Sequence, residues 1–441
     1  MASRRQGLAR GAAALTLGLT LAATLALPAN AQDASELSGE FTVLTFTGNT
    51  VGHMEDAVAA FEALHPGVTG KVNGITNEDW RQNATFVLSA DDAPDVAFVQ
   101  VDARVYPSLV ENGILSPIND VWDEIGLDGL YPQSTIDLYT AQDGNNYAVN
   151  TDIVWAPVVY YNKDAFAKAG IDFAGGRVES MEQWYEMADK LTAAGYEPLA
   201  LGGATFPLNH TSDQLLQTAL SPERLQEFFT NWRPGTTSDA KYTDPDFVGV
   251  LQTLKDWNDK GVLAEGTAAT TYEQADQLFL SGTAAMVQTG SWGASIYRGQ
   301  EPGFEIGWLI EPSIGVTPTS YLAYAGNGYS IPVNAKRPDI AKEFLKFLMS
   351  IETESEIMPA FGLIPARTDI DPTTLEGVDP IVKEMMAAFP EYGLSGLWGD
   401  TVPPDLGEAI DPMLQGILIG TETPEGAGAK LQGILEGLQG G

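Results

Sequence analysis

Residues 41–72 read FTVLTFTGNTVGHMEDAVAAFEALHPGVTGKV, and the fold class can be argued from this stretch alone. Residues 41–46 are β-branched and aromatic and lie between Gly39 and Gly48, the pattern of a buried strand. Residues 56–64 then place Ala57, Val58, Phe61 and Leu64 on one helical face. His65-Pro66-Gly67 is turn chemistry, and a second strand is expected over residues 68–72. Asp91-Asp92-Ala93-Pro94 makes another turn, before a strand over residues 95–101. A strand–helix–strand rhythm of this kind predicts an α/β fold with a largely parallel sheet.

The second half keeps the rhythm without repeating the sequence. Residues 158–161 form a strand candidate after Pro157. Ser180-x-x-Gln183 is a capping box, followed at helical spacing by Trp184, Met187, Ala188 and Leu191. Residues 284–287 run into Gln288-Thr289-Gly290-Ser291-Trp292-Gly293, and residues 329–333 make a further short strand. Pro338 opens a helix over residues 339–349 that turns Ile340, Ala341, Phe344, Leu345 and Leu348 inward. With no internal repeat and no low-complexity linker, two lobes are expected, their boundary hidden inside α/β units.

Composition narrows the partners. The chain has 441 residues with 23 basic and 59 acidic side chains, a formal charge of −36. That balance argues against nucleic acid, where affinity comes mainly from Lys and Arg on phosphates, and against anionic membranes. Hydrophobic residues make up 44% of the chain, enough for a large core. The lack of cysteine removes disulfides, thiolate metal sites and thiol nucleophiles together.

The N-terminus reads as an export signal. Arg4, Arg5 and Arg10 precede an uncharged apolar run over residues 11–27, which ends at Pro28 and Ala29-Asn30-Ala31. A small-x-small site there predicts cleavage after residue 31, with Gln32 as the new terminus. The competing reading is a membrane anchor, since 17 residues is the lower edge of a spanning helix. Without a Cys at the cleavage point no lipid anchor is expected.

Catalytic signatures are mostly missing. His53, His65 and His210 are too scattered for a metalloprotease pair, and His65 reads as a turn residue. The sequence has neither a phosphate-cradling GxxxxGK[ST] loop nor a GxSxG elbow. Asp143-Gly144-Asn145-Asn146 lacks the alternating acids of a calcium loop and reads as a solvated turn, so no metal or cofactor is expected. Paired carboxylates for glycoside hydrolysis are uninformative among so many acids. Aromatic residues in loops carry more information. Trp184 and Trp257 sit in helical stripes and read as core. Trp155, Trp292 and Trp398 instead lie near strand ends or between glycines, where an indole can cover the flat C–H face of a sugar.

An ordered set of short motifs then extends along the chain. Phe61-Glu62-Ala63-Leu64-His65-Pro66-Gly67-Val68 and Ala93-Pro94-Asp95-Val96 come first, followed by Asn112-Gly113-Ile114-Leu115. Tyr147-Ala148-Val149 and Tyr160-Tyr161-Asn162-Lys163-Asp164 follow, then Gly282-Thr283-Ala284-Ala285-Met286 with Gly290-Ser291-Trp292. Gly326-Asn327-Gly328-Tyr329 and Gly362-Leu363-Ile364-Pro365-Ala366-Arg367 complete the series. In this order the chain resembles the extracellular solute-binding proteins of bacterial ABC importers, in the carbohydrate-binding family that includes maltose-binding protein. It departs from them at Asn150, where the family usually has Pro, and in lacking the lipid-anchoring Cys of many relatives.

The resemblance implies a two-lobed periplasmic-binding-protein fold, each lobe a mainly parallel sheet flanked by helices, with crossovers near residues 150–155, 325–329 and 370–375. Residues 32–151 with 328–372 would form the N-terminal lobe, and 152–327 with 373–441 the C-terminal lobe. A sugar would sit in the cleft between them, the lobes would close by hinge motion, and a membrane permease would accept the loaded form. The protein would be a periplasmic monomer and not an enzyme. Carried over, the polar contacts fall on Thr47, Gly48, Asn49, Gln100, Asp102 and Asp152. Trp155 lies just beyond, Asn209 and His210 come from the second lobe, Trp292 is a stacking platform, and Asn327 sits at a crossover. Arg367 and Trp398 complete the set. The competing reading for Asp102 and Asp152 is loop capping, and for His210 and Arg367 a structural role. Two other functions stay open: the same scaffold binding a sugar phosphate or organic acid, and a secreted glycoside hydrolase using Asp102 and Asp152.

Overall fold

A computed structural model of the chain describes residues 37–47, 49–101, 105–233, 238–319, 321–360, 362–389 and 397–440. The expected export signal and the expected contacts Gly48 and Asp102 lie outside the described residues.

Two five-stranded sheets and a small three-stranded one organise the molecule. The first runs Val68–Ile75, Gly39–Phe46, Val96–Val99, Gly328–Ser330, Ala148–Asn150. Its first two pairings are parallel and its last two antiparallel. The second runs Gly176–Arg177, Ile306–Ile310, Val158–Asn162, Ala284–Thr289, Glu197–Ala200. There the outer pairings are parallel and the inner ones antiparallel. The α/β rhythm read from the sequence is present, but the expected largely parallel sheets are not: two of the four pairings in each large sheet are antiparallel. Antiparallel pairs enter where a strand arrives from the neighbouring sheet without a helical crossover to impose direction.

That neighbouring traffic forms the third sheet, in which Asp152–Ala156 pairs antiparallel with Leu322–Ala325 on one side and Ile364–Pro365 on the other. The chain thus passes between the large sheets beside its own earlier crossings. Residue alternation on Val158–Asn162 divides the interior. Val158 and Tyr160 join one apolar cluster with Phe41, Phe61 and Phe344. Val159 and Tyr161 face a second, with Trp184, Trp257 and Leu414. All of these except Val159 and Val158 are large side chains or aromatics, and period-two alternation lets one strand serve both cores.

Local signals explain most element ends. Pro338 opens the helix Pro338–Leu348, whose Ile340, Ala341, Phe344, Leu345 and Leu348 are all fully buried. Ser180 caps Met181–Ala193 by accepting from the Gln183 N–H at 3.2 Å. The return bond of that expected capping box goes one residue upstream, from the Glu179 N–H to Gln183 Oε1 at 2.7 Å. A complete box stands instead at Thr271 and Gln274, opening Tyr272–Leu280. The first helix spans Asn49–Leu64 and starts well before residue 56, because His53 and Met54 are also buried.

Candidate functional site at the crossovers

Asp152 and Asn327 fasten two crossovers together. The Thr151 N–H donates to Asn327 O at 3.0 Å and the Gly326 N–H to Asp152 O at 2.8 Å. Asp152 Oδ1 accepts from the Asn327 N–H at 2.9 Å, from Asn327 Nδ2 at 2.8 Å and from the Thr151 hydroxyl at 3.0 Å. Burial pushes the Asp152 carboxyl up to about 6, against the pull of these donors. A Cβ on Gly326 would stand 2.2 Å from Asp152 Oδ2, so the crossing requires glycine. Asp152 thus joins the two chain segments through its Oδ1.

At the C-terminal end of Ala284–Thr289 an aromatic group assembles from four separate segments. Trp292 is half-buried and its Nε1–H donates to the Tyr272 hydroxyl at 3.1 Å. Phe206 lies 5.3 Å from Tyr272, 6.1 Å from Trp292 and 5.1 Å from His210, ring to ring. Tyr324, on the crossover strand Leu322–Ala325, meets the His210 ring edge-on at 5.7 Å. A Cβ on Gly290 would lie 2.0 Å from the Trp292 ring, and one on Gly293 would meet Thr289 and Tyr160. The glycines flanking Trp292 thus make room for its own indole and its neighbours.

The remaining expected contacts spread more widely. Thr47 is exposed just after Gly39–Phe46, its N–H donating to Ile75 O at 2.9 Å, and Asn49 opens the following helix. Gln100 is half-buried immediately after Val96–Val99. Asn209 and His210 are both buried on the helix Phe206–Ala219. Trp155 is fully buried and stacks on Tyr321 at 5.4 Å and 21°. Arg367 is buried, its guanidinium held by Asp369 at 3.0 and 2.8 Å and by Met349 O at 2.6 Å. Trp398 is buried between Tyr242 and Phe247, each 5.5 Å away, in the core shared by the C-terminal helices. The structure therefore brings His210 and Trp292 into one group and Asp152 and Asn327 into another, and it packs Arg367, Trp155 and Trp398 inside.

Phe206, Tyr272 and Tyr324 complete the aromatic group without having been singled out in the sequence. The Thr271-x-x-Gln274 capping box could have flagged Tyr272 as a side chain held at a helix start. Behind the group, the Thr211 hydroxyl donates to Gln288 Oε1 at 2.5 Å and Gln288 Nε2 donates to the buried carboxyl of Glu311.

The profile of the bacterial extracellular solute-binding protein family matches residues 47–354. That is well over half the chain, which belongs to this family. It is 25% identical over 359 residues to an uncharacterized ABC transporter extracellular-binding protein of Pyrococcus horikoshii, covering 79% of this chain and 76% of the relative. It is 26% identical to an arabinooligosaccharide-binding protein of Halalkalibacterium halodurans, over 77% and 74% of the two chains. The solved structure of a chitin oligosaccharide binding protein superposes with a TM-score of 0.75 at 24% identity, over 92% of this chain and all of that one. The fold is thus that of the two-lobed solute-binding proteins, and by its family the chain is an extracellular solute-binding protein. Proteins of this family bind solutes rather than convert them, in the periplasm or outside the cell. Among the described residues, no helix is long and apolar enough to cross a membrane.

Proposed function

We propose that this chain captures a neutral sugar, mono- or oligosaccharide, in the cleft between two lobes and delivers it to a membrane permease. The observation that carries this is the aromatic group of Trp292, Tyr272, Phe206, His210 and Tyr324, which joins a strand end of one sheet to a crossover strand. Such rings offer flat apolar faces with polar edges, the surface that sugar rings match. The relatives named for arabino- and chitin oligosaccharides point the same way. An anionic ligand would want a cation to receive it, and Arg367 is already engaged by Asp369 and a backbone carbonyl. In this reading residues 1–31 are removed on export and a periplasmic monomer remains. Residues 32–151 with 328–372 form one lobe and 152–327 with 373–441 the other, and the Asp152–Asn327 clamp lies at the hinge.

A thermal-shift screen of the chain from Gln32 against arabino- and chitin oligosaccharides, other mono- and disaccharides, sugar phosphates and organic acids tests this. A ligand at a hundredfold excess over its dissociation constant stabilises by about 2.7 kcal/mol. Stabilisation by a sugar that is recovered intact is the expected result. Stabilisation by anions alone, or release of reducing sugar over time, would overturn it. With the sugar found, Trp292→Ala is expected to weaken binding by about 1–3 kcal/mol, read by calorimetry.

A further inference from the structure

Two helices packed on different cores carry opposite charges where they meet. Arg81 lies one turn into the helix Asn77–Ser89, which starts just after the C-terminal end of the strand Val68–Ile75. Trp80 and Ala84 of that helix belong to the core of the first sheet, and the Trp80 ring meets Phe98 edge-on at 5.5 Å. Asp411 lies on the helix Pro404–Leu418, whose Leu406, Ile410 and Leu414 belong to the other core with Val159 and Tyr161 of the second sheet. Arg81 Nη1 stands 3.9 Å from Asp411 Oδ2, and the two side chains are 25% and 30% exposed. Arg81 Nε is buried without a hydrogen-bond partner among the described residues. The guanidinium therefore meets the carboxylate at the outer limit of an ion pair. A fully formed Arg–carboxylate fork has two parallel N–H···O bonds of about 2.7–2.9 Å.

We propose that Arg81 and Asp411 form a latch between the two lobes, which favours the closed form and tightens into a fork as a ligand draws the lobes together. The inference rests on the reading that the lobes close over a captured solute. The place of the pair suits this role, because the helix carrying Arg81 starts at the strand ends where an open α/β sheet takes its ligand. Its sign suits it as well. With 59 acidic side chains against 23 basic ones, lobes that approach each other meet mainly like charge. A cation of one lobe set against a carboxylate of the other offsets that repulsion where they touch. Other ion pairs stay on one core: Lys342 and Asp120 join helices packed on the first, and Arg224 and Asp246 helices packed on the second. A contact made only in the closed form shifts the open–closed equilibrium by its own interaction free energy, whatever the solute. For a part-exposed pair this amounts to about twofold to fivefold in the closed population, and in affinity where the open form prevails without ligand.

The test exploits the lack of cysteine. Spin labels on Asn83→Cys and Asp405→Cys, at exposed positions of the two helices, report the distance between those helices by pulsed EPR. Without ligand, the labelled chain is expected to hold a short-distance population that falls by about twofold to fivefold in Arg81→Gln. It is expected to fall further in Arg81→Asp, which sets two carboxylates face to face. Exchanging the charges, Arg81→Asp with Asp411→Arg, is expected to restore it. The difference between the labelled chain with its pair intact and Arg81→Gln is expected to shrink as NaCl rises from about 0.01 M to about 1 M. Calorimetry with arabinobiose and diacetylchitobiose as probes is expected to rank the variants in the same order. A distance distribution left unchanged by Arg81→Asp overturns the proposal, as does a loss that the charge exchange leaves uncorrected. Should the exchanged chain fold poorly, Arg81→Gln and Asp411→Asn decide, since both nearly keep the side chain's shape. Equal losses that do not add when combined are expected, and additive losses overturn the latch. Failure of both sugars to bind would strike the sugar reading instead, because the distances are read without ligand.

Discussion

At Glu311, burial decides the protonation state. The side chain is fully buried at the end of Ile306–Ile310, with one oxygen accepting from Gln288 and Oε2 without a hydrogen-bond partner among the described residues. Desolvation pushes the carboxyl up to about 8, whereas in the unfolded chain it titrates near 4.3. Between those values the folded protein holds a proton that the unfolded chain has lost. The acid form's contribution is therefore complete below about 4, is lost as pH rises through about 8, and is flat beyond. Glu311→Gln keeps the shape and removes the titration. Its stability relative to the unaltered chain is expected to climb between pH 4.5 and 8.5 by up to a few kcal/mol, read as the difference in thermal midpoint at each pH. A difference that stays constant across that range would show that Glu311 titrates normally.

Among the elements, the crossovers are held by contacts that leave little room for change. Gly326→Ala would drive its methyl toward Asp152 Oδ2, 2.2 Å from the ideal Cβ. A destabilisation of about 1–3 kcal/mol is expected from overpacking, together with a smaller sugar-induced decrease in radius of gyration by solution scattering. Unaltered stability would mean that the crossing yields without cost. Thr271→Ala removes the oxygen that caps Tyr272–Leu280 and is expected to cost about 1 kcal/mol in denaturant unfolding. No loss would show that tertiary packing alone holds that helix start.

Elements with local punctuation were legible in the sequence. Pro338 and the inward stripe behind it located one helix, and the β-branched run at residues 41–46 located the first strand. Trp184 and Trp257 were readable as core from their helical spacing, and both are fully buried. The candidate site was less legible, because its parts meet only through tertiary contacts. Phe206, Tyr272 and Tyr324 are far apart in sequence and carry no shared motif. Asp152 reads alike as a ligand contact or a cap until Asn327 is seen 175 residues away, donating to it twice. Trp398, flanked by glycine, looks exposed in sequence, yet Tyr242 and Phe247 enclose it.

Over the whole molecule, charge is the dominant surface term. A formal charge of −36 places the folded state under self-repulsion that salt relieves. Raising NaCl from about 0.01 M to about 0.15 M shortens the screening length from roughly 30 Å to about 8 Å. The thermal midpoint is expected to rise over that interval; a fall would mean that attractive surface pairs such as Lys346–Glu124 outweigh the net repulsion.

The place of Gly328–Ser330 in the first sheet has a further consequence, for the order of events during synthesis. This strand lies between Val96–Val99 and Ala148–Asn150, which do not pair with each other. A nascent chain can therefore finish neither half of that sheet's edge until residue 330 has left the ribosome. Contacts this distant in sequence form slowly, since the closure entropy of a long loop must be met first. The first sheet thus stays incomplete through most of translation, and its last two pairings close only after the chain has passed residue 330.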